Sequence, residues 1–288
     1  MTIQIITDGG SDLPIEMRDS WRIKVIPLYI HLDNEQIRSE DVTIEDFATR
    51  LENSKEIPTT SAAGPYEYYK VFKEIPKDKP IIHFSVSNGV SSAYKHALMA
   101  KNMLIEDDPD RQIEIINTES ASSGMILLIQ ETVAKIKEGF NYHELIYFIE
   151  DRVKHLRTVF VLKTLDNLIR SGRLDRIRGA VAKTLNVKLL LQASKEGKVE
   201  VLEKVRGSKK ATIRFIDKIG EYISETANQK LVITHAQAKE RLDSIVETIK
   251  EKYQFNKIIT AEMGPLLSIH AGSEAIVMAF FSDNKRRD

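Results

Sequence analysis

Short runs of β-branched residues alternate along this chain with segments whose apolar positions recur every three or four residues. Residues 3–7, 23–30, 81–86 and 113–117 have the length and composition of strands. Ile126, Ile129, Val133 and Ile136 form the stripe of an amphipathic helix packed on one side. Strands alternating with helices predict a mostly parallel sheet with helices on both faces, a three-layer α/β/α arrangement. From about Thr158 the pattern changes. Residues 187–194 and 198–205 alternate apolar with polar and are joined by Lys195-Glu196-Gly197, the signature of an antiparallel hairpin. A helix carrying Ile213, Ile216, Ile219 and Ile223, a strand at 231–234, a helix carrying Leu242, Ile245, Val246, Ile249 and Tyr253, and strands at 257–261 and 275–281 complete a second unit. The expected fold class is therefore α/β in two parts. Residues 1–157 form an N-terminal domain with a parallel sheet, and residues 158–288 form a C-terminal domain with a mixed sheet. The cleft between them is the default binding site.

Composition removes several chemistries. The 42 Lys and Arg residues balance 42 Asp and Glu, so no basic field attracts nucleic acid or anionic lipid. With no cysteine, thiolate nucleophiles, disulfides and cysteine-ligated metals are excluded, and any nucleophile is oxygen or nitrogen. The chain enters a strand directly, without a charged region and apolar leader, which predicts a cytoplasmic protein. Its longest apolar stretches, such as 275–281, fall short of the roughly 20 residues of a membrane-spanning helix.

Parallel sheets place ligands at the carboxyl ends of their strands, so polar segments between strands and helices carry information. Five occur: Thr7-Asp8-Gly9-Gly10-Ser11-Asp12-Leu13-Pro14, Pro58-Thr59-Thr60-Ser61, Ser85-Val86-Ser87-Asn88-Gly89-Val90-Ser91, Asn117-Thr118-Glu119-Ser120-Ala121-Ser122-Ser123-Gly124, and Gly264-Pro265 through His270-Ala271-Gly272. Each hydroxyl alone reads as a helix cap. Four hydroxyl-rich loops in one chain point further, to a small anion such as a carboxylate held by hydroxyls and free N–H groups. His270, between apolar residues and Ala271-Gly272, reads as a histidine at the edge of a buried region. His83 and His235 fall in or at the end of strands with no acidic partner at metal-ligand spacing, and with no HExxH motif no intrinsic metal is expected.

Arg170, Arg173, Arg176 and Arg178 crowd nine positions of a neutral protein. They form either a solvated face or a docking patch for an acidic or phosphate-bearing partner. Neither GxGxxG after the first strand nor GxxxxGK[ST] is present, so a nucleotide, if used, is supplied by another protein.

Taken in order, these loops resemble the DegV family of bacterial fatty-acid-binding proteins, which includes the FakB-like, lipid-carrying subunit of bacterial fatty acid kinase. The resemblance covers nearly the whole chain. It rests on Thr7-Asp8 with Ser11-Asp12-Leu13-Pro14, Val25-Ile26-Pro27-Leu28, Pro58-Thr59-Thr60-Ser61, Ser85 to Ser91 with Tyr94, Leu165 to Arg173, and His270-Ala271-Gly272. The chain departs from the family pattern at Gly9, at Ser92-Ala93, at Asn117-Thr118 and at Ser273-Glu274, where the family has Ser, Gly-Thr, Asp-Ser and Pro-Gly. Glu274 is thereby expected to bring a carboxylate near the head group.

The resemblance implies a two-domain fold with one long-chain fatty acid in a tunnel. The carboxylate would be held at Thr60 with its neighbour Ser61, at Ser91 and at His270. Arg170 and Arg173 would lie at the mouth and face a partner, the catalytic subunit of fatty acid kinase, which carries ATP and Mg. This chain would then be a non-enzymatic carrier with no intrinsic cofactor, presenting the carboxylate and carrying away the acyl-phosphate. A downstream acyltransferase that uses acyl-phosphate and transient membrane contact are compatible with that role.

The physics agrees with such a ligand. At about 0.8 kcal/mol per methylene, a chain of roughly 15 methylenes offers on the order of 12 kcal/mol before association costs. Its carboxylate needs hydrogen bonds in low dielectric, which hydroxyls at Thr60 and Ser91 and an imidazole at His270, neutral or protonated, could supply. Three alternatives remain. One is a hydrolase with Ser91 or Ser61 as nucleophile, His270 as base and Asp8 or Glu274 orienting it, although no GxSxG elbow is present. Another is a dihydroxyacetone-kinase-like subunit holding a small ketone on His270. The last is a binding module for some other small molecule.

Overall fold

The computed structural model describes residues 3–174 and 186–286. Arg176 and Arg178 of the arginine-rich segment lie outside the described residues. The chain opens with β1 (Gln4–Asp8), α1 (Ile15–Ser20) and β2 (Lys24–Ile26), followed by β3 (Tyr29–Leu32), β4 (Glu35–Arg38), α2 (Ile44–Asn53) and β5 (Thr59–Ser61). Next come α3 (Pro65–Lys73), β6 (Ile81–Ser85), α4 (Ala93–Asp107), β7 (Ile113–Asn117), α5 (Ser123–Lys137) and α6 (Tyr142–His155). The remainder is β8 (Leu156–Val161), α7 (Asp166–Arg170), β9 (Val187–Ala193), β10 (Val199–Arg206), α8 (Ser208–Tyr222), β11 (Lys230–His235), α9 (Lys239–Lys252), β12 (Lys257–Glu262), α10 (Pro265–Ala271) and β13 (Ile276–Phe281).

Three sheets form. The first has the order β2-β1-β6-β7 and is wholly parallel. The second, β10-β9-β8-β13-β11-β12, is mixed, with β11 parallel to β12 and antiparallel to β13. The expected hairpin is present as β9 and β10. The third is a small antiparallel sheet, β4-β3-β5. We refer to the elements around the first and third sheets as the N-terminal lobe and to those around the second as the C-terminal lobe. β8 starts at Leu156, so a division between residues 157 and 158 passes between its second and third residues.

Two local expectations are corrected. Residues 23–30 do not form one strand, because Pro27 has no N–H to continue a ladder; the chain leaves the parallel sheet after Ile26 and enters the small sheet at Tyr29. Thr59–Ser61 is not a loop but the edge strand β5, paired with β3, and α3 begins only at Pro65. Its backbone direction is therefore set by a ladder, which fixes where the Thr60 side chain points.

Helix α5 also differs from its expected one-sided stripe. Every residue from Ser123 to Gln130 is buried. The helix follows a strand of the first sheet but packs on β8, β11 and β13 of the second, so apolar residues are needed all round its first two turns. The largest core cluster joins Ile6, Ile82 and Ile126 to Val232, Ala279 and Phe281, binding the lobes through one apolar interior. Among the described residues, no helix is long and apolar enough to cross a membrane.

Candidate functional site

The parallel strands β1, β6 and β7 end at one edge, and their following loops face the C-terminal lobe. Asp8, at the end of β1, organises this edge from beneath. Fully buried, it accepts hydrogen bonds from the Tyr68 hydroxyl, the Ser85 hydroxyl and the Val86 N–H, each at 2.8 Å. His83 Nε2 lies 3.2 Å from the same carboxylate, so this histidine does have an acidic neighbour, which sequence spacing could not show because it comes from the adjacent strand. The next two loops are stitched together. Asn117 Oδ1 accepts the Asn88 N–H and Thr118 Oγ1 donates to the Ser85 carbonyl, so the departure at Asn117 is part of the scaffold.

Above this edge lies a cavity of about 380 Å³, within the range of small-molecule sites. Its N-terminal wall presents Thr60 and Ser61 from β5, Ser87, Ser91 and Ser92 after β6, and Ser120 and Ser122 after β7. Its C-terminal wall presents Phe160 from β8 and Leu162 just after it, Leu168 from α7, Ala193 and Val199 from the hairpin, Leu266 and Leu267 from α10, and Val277 from β13. Thr158 and Phe160 share one face of the sheet because strand side chains alternate, while Val277 and Leu191 are the cross-strand neighbours of Phe160.

His270 reaches the cavity from α10, a helix with Gly264 at its N-cap, Pro265 at its first position and Gly272, at φ 76°, ending it. Its Nε2 lies 2.9 Å from Thr60 Oγ1, joining the lobes at the cavity wall. Burial, with a smaller contribution from the nearby Arg173 guanidinium, lowers the imidazole to about 4. So placed, the imidazole favours its neutral form and acts through hydrogen bonds. Its buried Nδ1 has no hydrogen-bond partner among the described residues. The cation beside it is Arg173, whose Nε donates to the Val90 carbonyl at 3.3 Å and whose Nη1 donates to the Ser171 carbonyl at 2.5 Å.

Of the residues singled out from sequence, the structure gathers Thr60, Ser61, Ser91, Arg173 and His270 on the one cavity. Ser91 Oγ accepts the Ala93 N–H at 3.2 Å as α4 begins, which leaves its own proton free to donate. Arg170 is exposed and lines an outer cleft of about 710 Å³ that shares Thr60, Arg173 and His270 with the inner cavity. Ser273 lines the same cleft.

Glu274 does not approach the head-group residues. At a positive φ of 62°, it turns to an ion pair with Lys163 at 2.6 Å, beside Arg241 in a separate pocket. The Lys163 hydrogen bond keeps its carboxyl below the usual carboxylate range. Gly9 is explained by crowding, since a Cβ there would lie 2.1 Å from the Glu40 carboxylate and 2.4 Å from the Ser39 hydroxyl. The Ser/His hydrolase arrangement is not assembled either. His270 meets Thr60, Ser61 Oγ lies 2.8 Å from His31, and Asp8 and Glu274 are bound elsewhere.

Sequence reading assigned no role to Asp12, Ser120, Ser122 or Thr158. Ser120 Oγ and Thr158 Oγ1 lie 2.7 Å apart across the lobes. Asp12 accepts hydrogen bonds from Ser122 Oγ and from the Gly264 N–H, and burial raises its carboxyl to about 7. All but Thr158 sit in polar loops already visible in the sequence, but each also has a partner in the other lobe: Gly264 for Asp12, Thr234 for Ser122 and Thr158 for Ser120.

Among the described residues no group of His, Asp and Glu is placed to hold a metal. Comparison with known proteins gives a consistent family. Two solved structures share the fold over nearly the full length. One is a DegV family protein from Ruminococcus gnavus refined with vaccenic acid (TM-score 0.90, 24% identity, 97% of this chain and 99% of that one). The other is the Fatty Acid Kinase B3 protein of Streptococcus pneumoniae loaded with linoleic acid (TM-score 0.86, 26% identity, 98% and 100%). A DegV domain-containing protein of Streptococcus pyogenes serotype M1 is 31% identical over 283 residues, covering 97% of this chain and 99% of the relative. The model of the DegV family of uncharacterised proteins matches residues 2–283, and this chain belongs to that family.

Proposed function

We propose that this protein binds one long-chain fatty acid in the inner cavity and presents its carboxylate to a separate ATP-dependent fatty acid kinase, afterwards carrying the acyl-phosphate. The observation that carries the reading is the junction of an apolar cavity with the Thr60–His270 pair. The alkyl chain lies along Phe160, Leu162, Leu168 and Val277. The carboxylate rests on hydroxyls of Thr60, Ser61 and Ser91 and on the neutral His270 imidazole. When Nε2–H donates to Thr60 Oγ1, the Thr60 proton is free to point at the ligand; in the other tautomer Nδ1–H is the free donor. Donors without a full counter-charge orient the carboxylate and still let it leave.

Arg173 and the exposed Arg170 flank the outer cleft, the side from which a kinase bearing ATP and magnesium would reach the head group. The fatty acids bound by the Ruminococcus gnavus and Streptococcus pneumoniae proteins support the ligand class, and the latter's name supports the kinase. On this reading the protein is a cytoplasmic carrier.

Combining the purified protein with a fatty acid kinase catalytic subunit, ATP and magnesium tests the kinase step. Acyl-phosphate, trapped as the hydroxamate, is expected with the native chain and at less than a tenth of that level with Arg173→Ala of equal lipid content. Equal product from both would remove Arg173 from the partner-facing role, and no product from either would refute the partnership.

A further inference from the structure

We propose that Ser122 is an acyl-accepting nucleophile with Asp12 as its base, giving this cavity a slow hydrolytic activity toward activated acyl groups: esters, thioesters or acyl-phosphates. The substrate class rests on the acyl-cavity reading above; the chemistry of the pair does not.

Ser122 lies on the turn between β7 and α5, the strand–turn–helix setting in which a nucleophile is lifted over a sheet edge. Its backbone is at φ 52° and ψ −122°, a conformation that costs a non-glycine residue on the order of 1–3 kcal/mol. The turn is held by the Ser122 N–H bond to the Gly10 carbonyl at 3.0 Å. Such a turn needs small residues two positions before and after the nucleophile. Here they are Ser120 and Gly124, and a Cβ on Gly124 would fall 2.1 Å from Ser120 Oγ. The segment Ser120-Ala121-Ser122-Ser123-Gly124 departs from GxSxG only at its first position, where serine stands in place of glycine, so motif matching passes over it.

The side chain is placed for the reaction. Ser122 contributes to the wall of the apolar cavity, and its Oγ donates to Asp12 Oδ2 at 2.5 Å. The other Asp12 oxygen is fixed by the Gly264 N–H at 2.9 Å, and Thr234 Oγ1 lies 2.7 Å from Ser122 Oγ. Burial raises the Asp12 carboxyl to about 7, the range of a general base at neutral pH. At the first position of the 15-residue α5, the Ser123 N–H has no intrahelical acceptor, so it is available to an oxyanion at the positive end of the helix.

The steps balance. Ser122 Oγ bonds to the acyl carbon as its proton passes to Asp12 Oδ2. The bond to the leaving oxygen or sulfur breaks, and that atom takes the proton. Water then attacks the acyl-serine, giving its proton to Asp12, which returns it to Ser122 Oγ as free fatty acid leaves.

Treating the full chain with a long-alkyl fluorophosphonate and mapping the adduct by mass spectrometry tests the pair, with p-nitrophenyl decanoate as the hydrolysis substrate. The expected result is one adduct per chain, at Ser122. Hydrolysis is expected to fall at least tenfold in both Ser122→Ala and Asp12→Asn, with co-purifying fatty acid quantified in the native chain alongside. No adduct, an adduct on Ser61 or Ser91, or hydrolysis in Ser122→Ala equal to the native rate would overturn the proposal. Should Ser122→Ala fail to fold, adduct mapping on the native chain decides. Because fatty acid content is read separately, failure here leaves the carrier reading standing.

Discussion

The two walls of the cavity come from different sheets and use different side chains. On the N-terminal side, the loops after parallel strands supply Ser87, Ser91, Ser120 and Ser122, while β5 supplies Thr60. On the C-terminal side, the faces of β8 and β13 supply Phe160 and Val277, and Leu162 follows at the end of β8. Loops at the carboxyl ends of parallel strands leave N–H groups and caps unpaired, so hydroxyls collect there. A sheet face satisfies its backbone internally and can offer pure apolar surface. A fatty acid is divided in the same way, and on the proposed reading its carboxylate also meets His270 from the C-terminal lobe.

The comparison can be broken from either wall. The largest effect is expected on the apolar side. Phe160→Asp would place a charge against Val277 and Leu191, and retained fatty acid should drop more than a hundredfold, measured by extraction and chromatography. On the polar side, Thr60→Val removes the hydroxyl that meets His270 and should weaken retention about fivefold, since a lost hydrogen bond costs about 1 kcal/mol. Ser91→Ala should do about the same or less. If all of these variants kept native affinity, the head group would lie elsewhere.

Acid sharpens the contrast between two buried groups. His270 is lowered to about 4, so its contribution to stability is present above pH 6.5 and is lost as pH falls toward 4. Asp12 is raised to about 7, so its contribution has the opposite sign: present below about pH 4 and lost as pH rises through 7. Relative to the native chain, Asp12→Asn should therefore gain stability as pH rises from 4 to 7, by on the order of 4 kcal/mol at most. Urea unfolding at several pH values checks it, and a pH-independent difference would contradict the assigned protonation. The smallest effect belongs to Glu274→Gln, which should leave fatty acid content unchanged because that carboxylate is paired with Lys163.

The periodicities made the outline of the fold legible, including the β9–β10 hairpin and the change from parallel to mixed sheet. They missed the small sheet, though its β3–β4 turn, Asp33-Asn34 with both φ positive, has the residues a tight hairpin needs. They also missed the burial of the first two turns of α5 on every side, because a helix covered by the second sheet on one side and by α6 and the turn after β1 on others has no polar stripe there to mark a solvent face. Thr60, Ser91 and His270 stood out through the family resemblance. Asp12–Gly264, Ser122–Thr234 and Ser120–Thr158 did not, since each joins residues from opposite lobes and local spacing has no term for such pairs.

The most direct measurement is mass spectrometry of organic extracts from denatured protein, calibrated against protein concentration. The account predicts close to one long-chain fatty acid per chain, reduced in Phe160→Asp. A polar metabolite in its place, or the inability of the protein to take up added fatty acid, would contradict it.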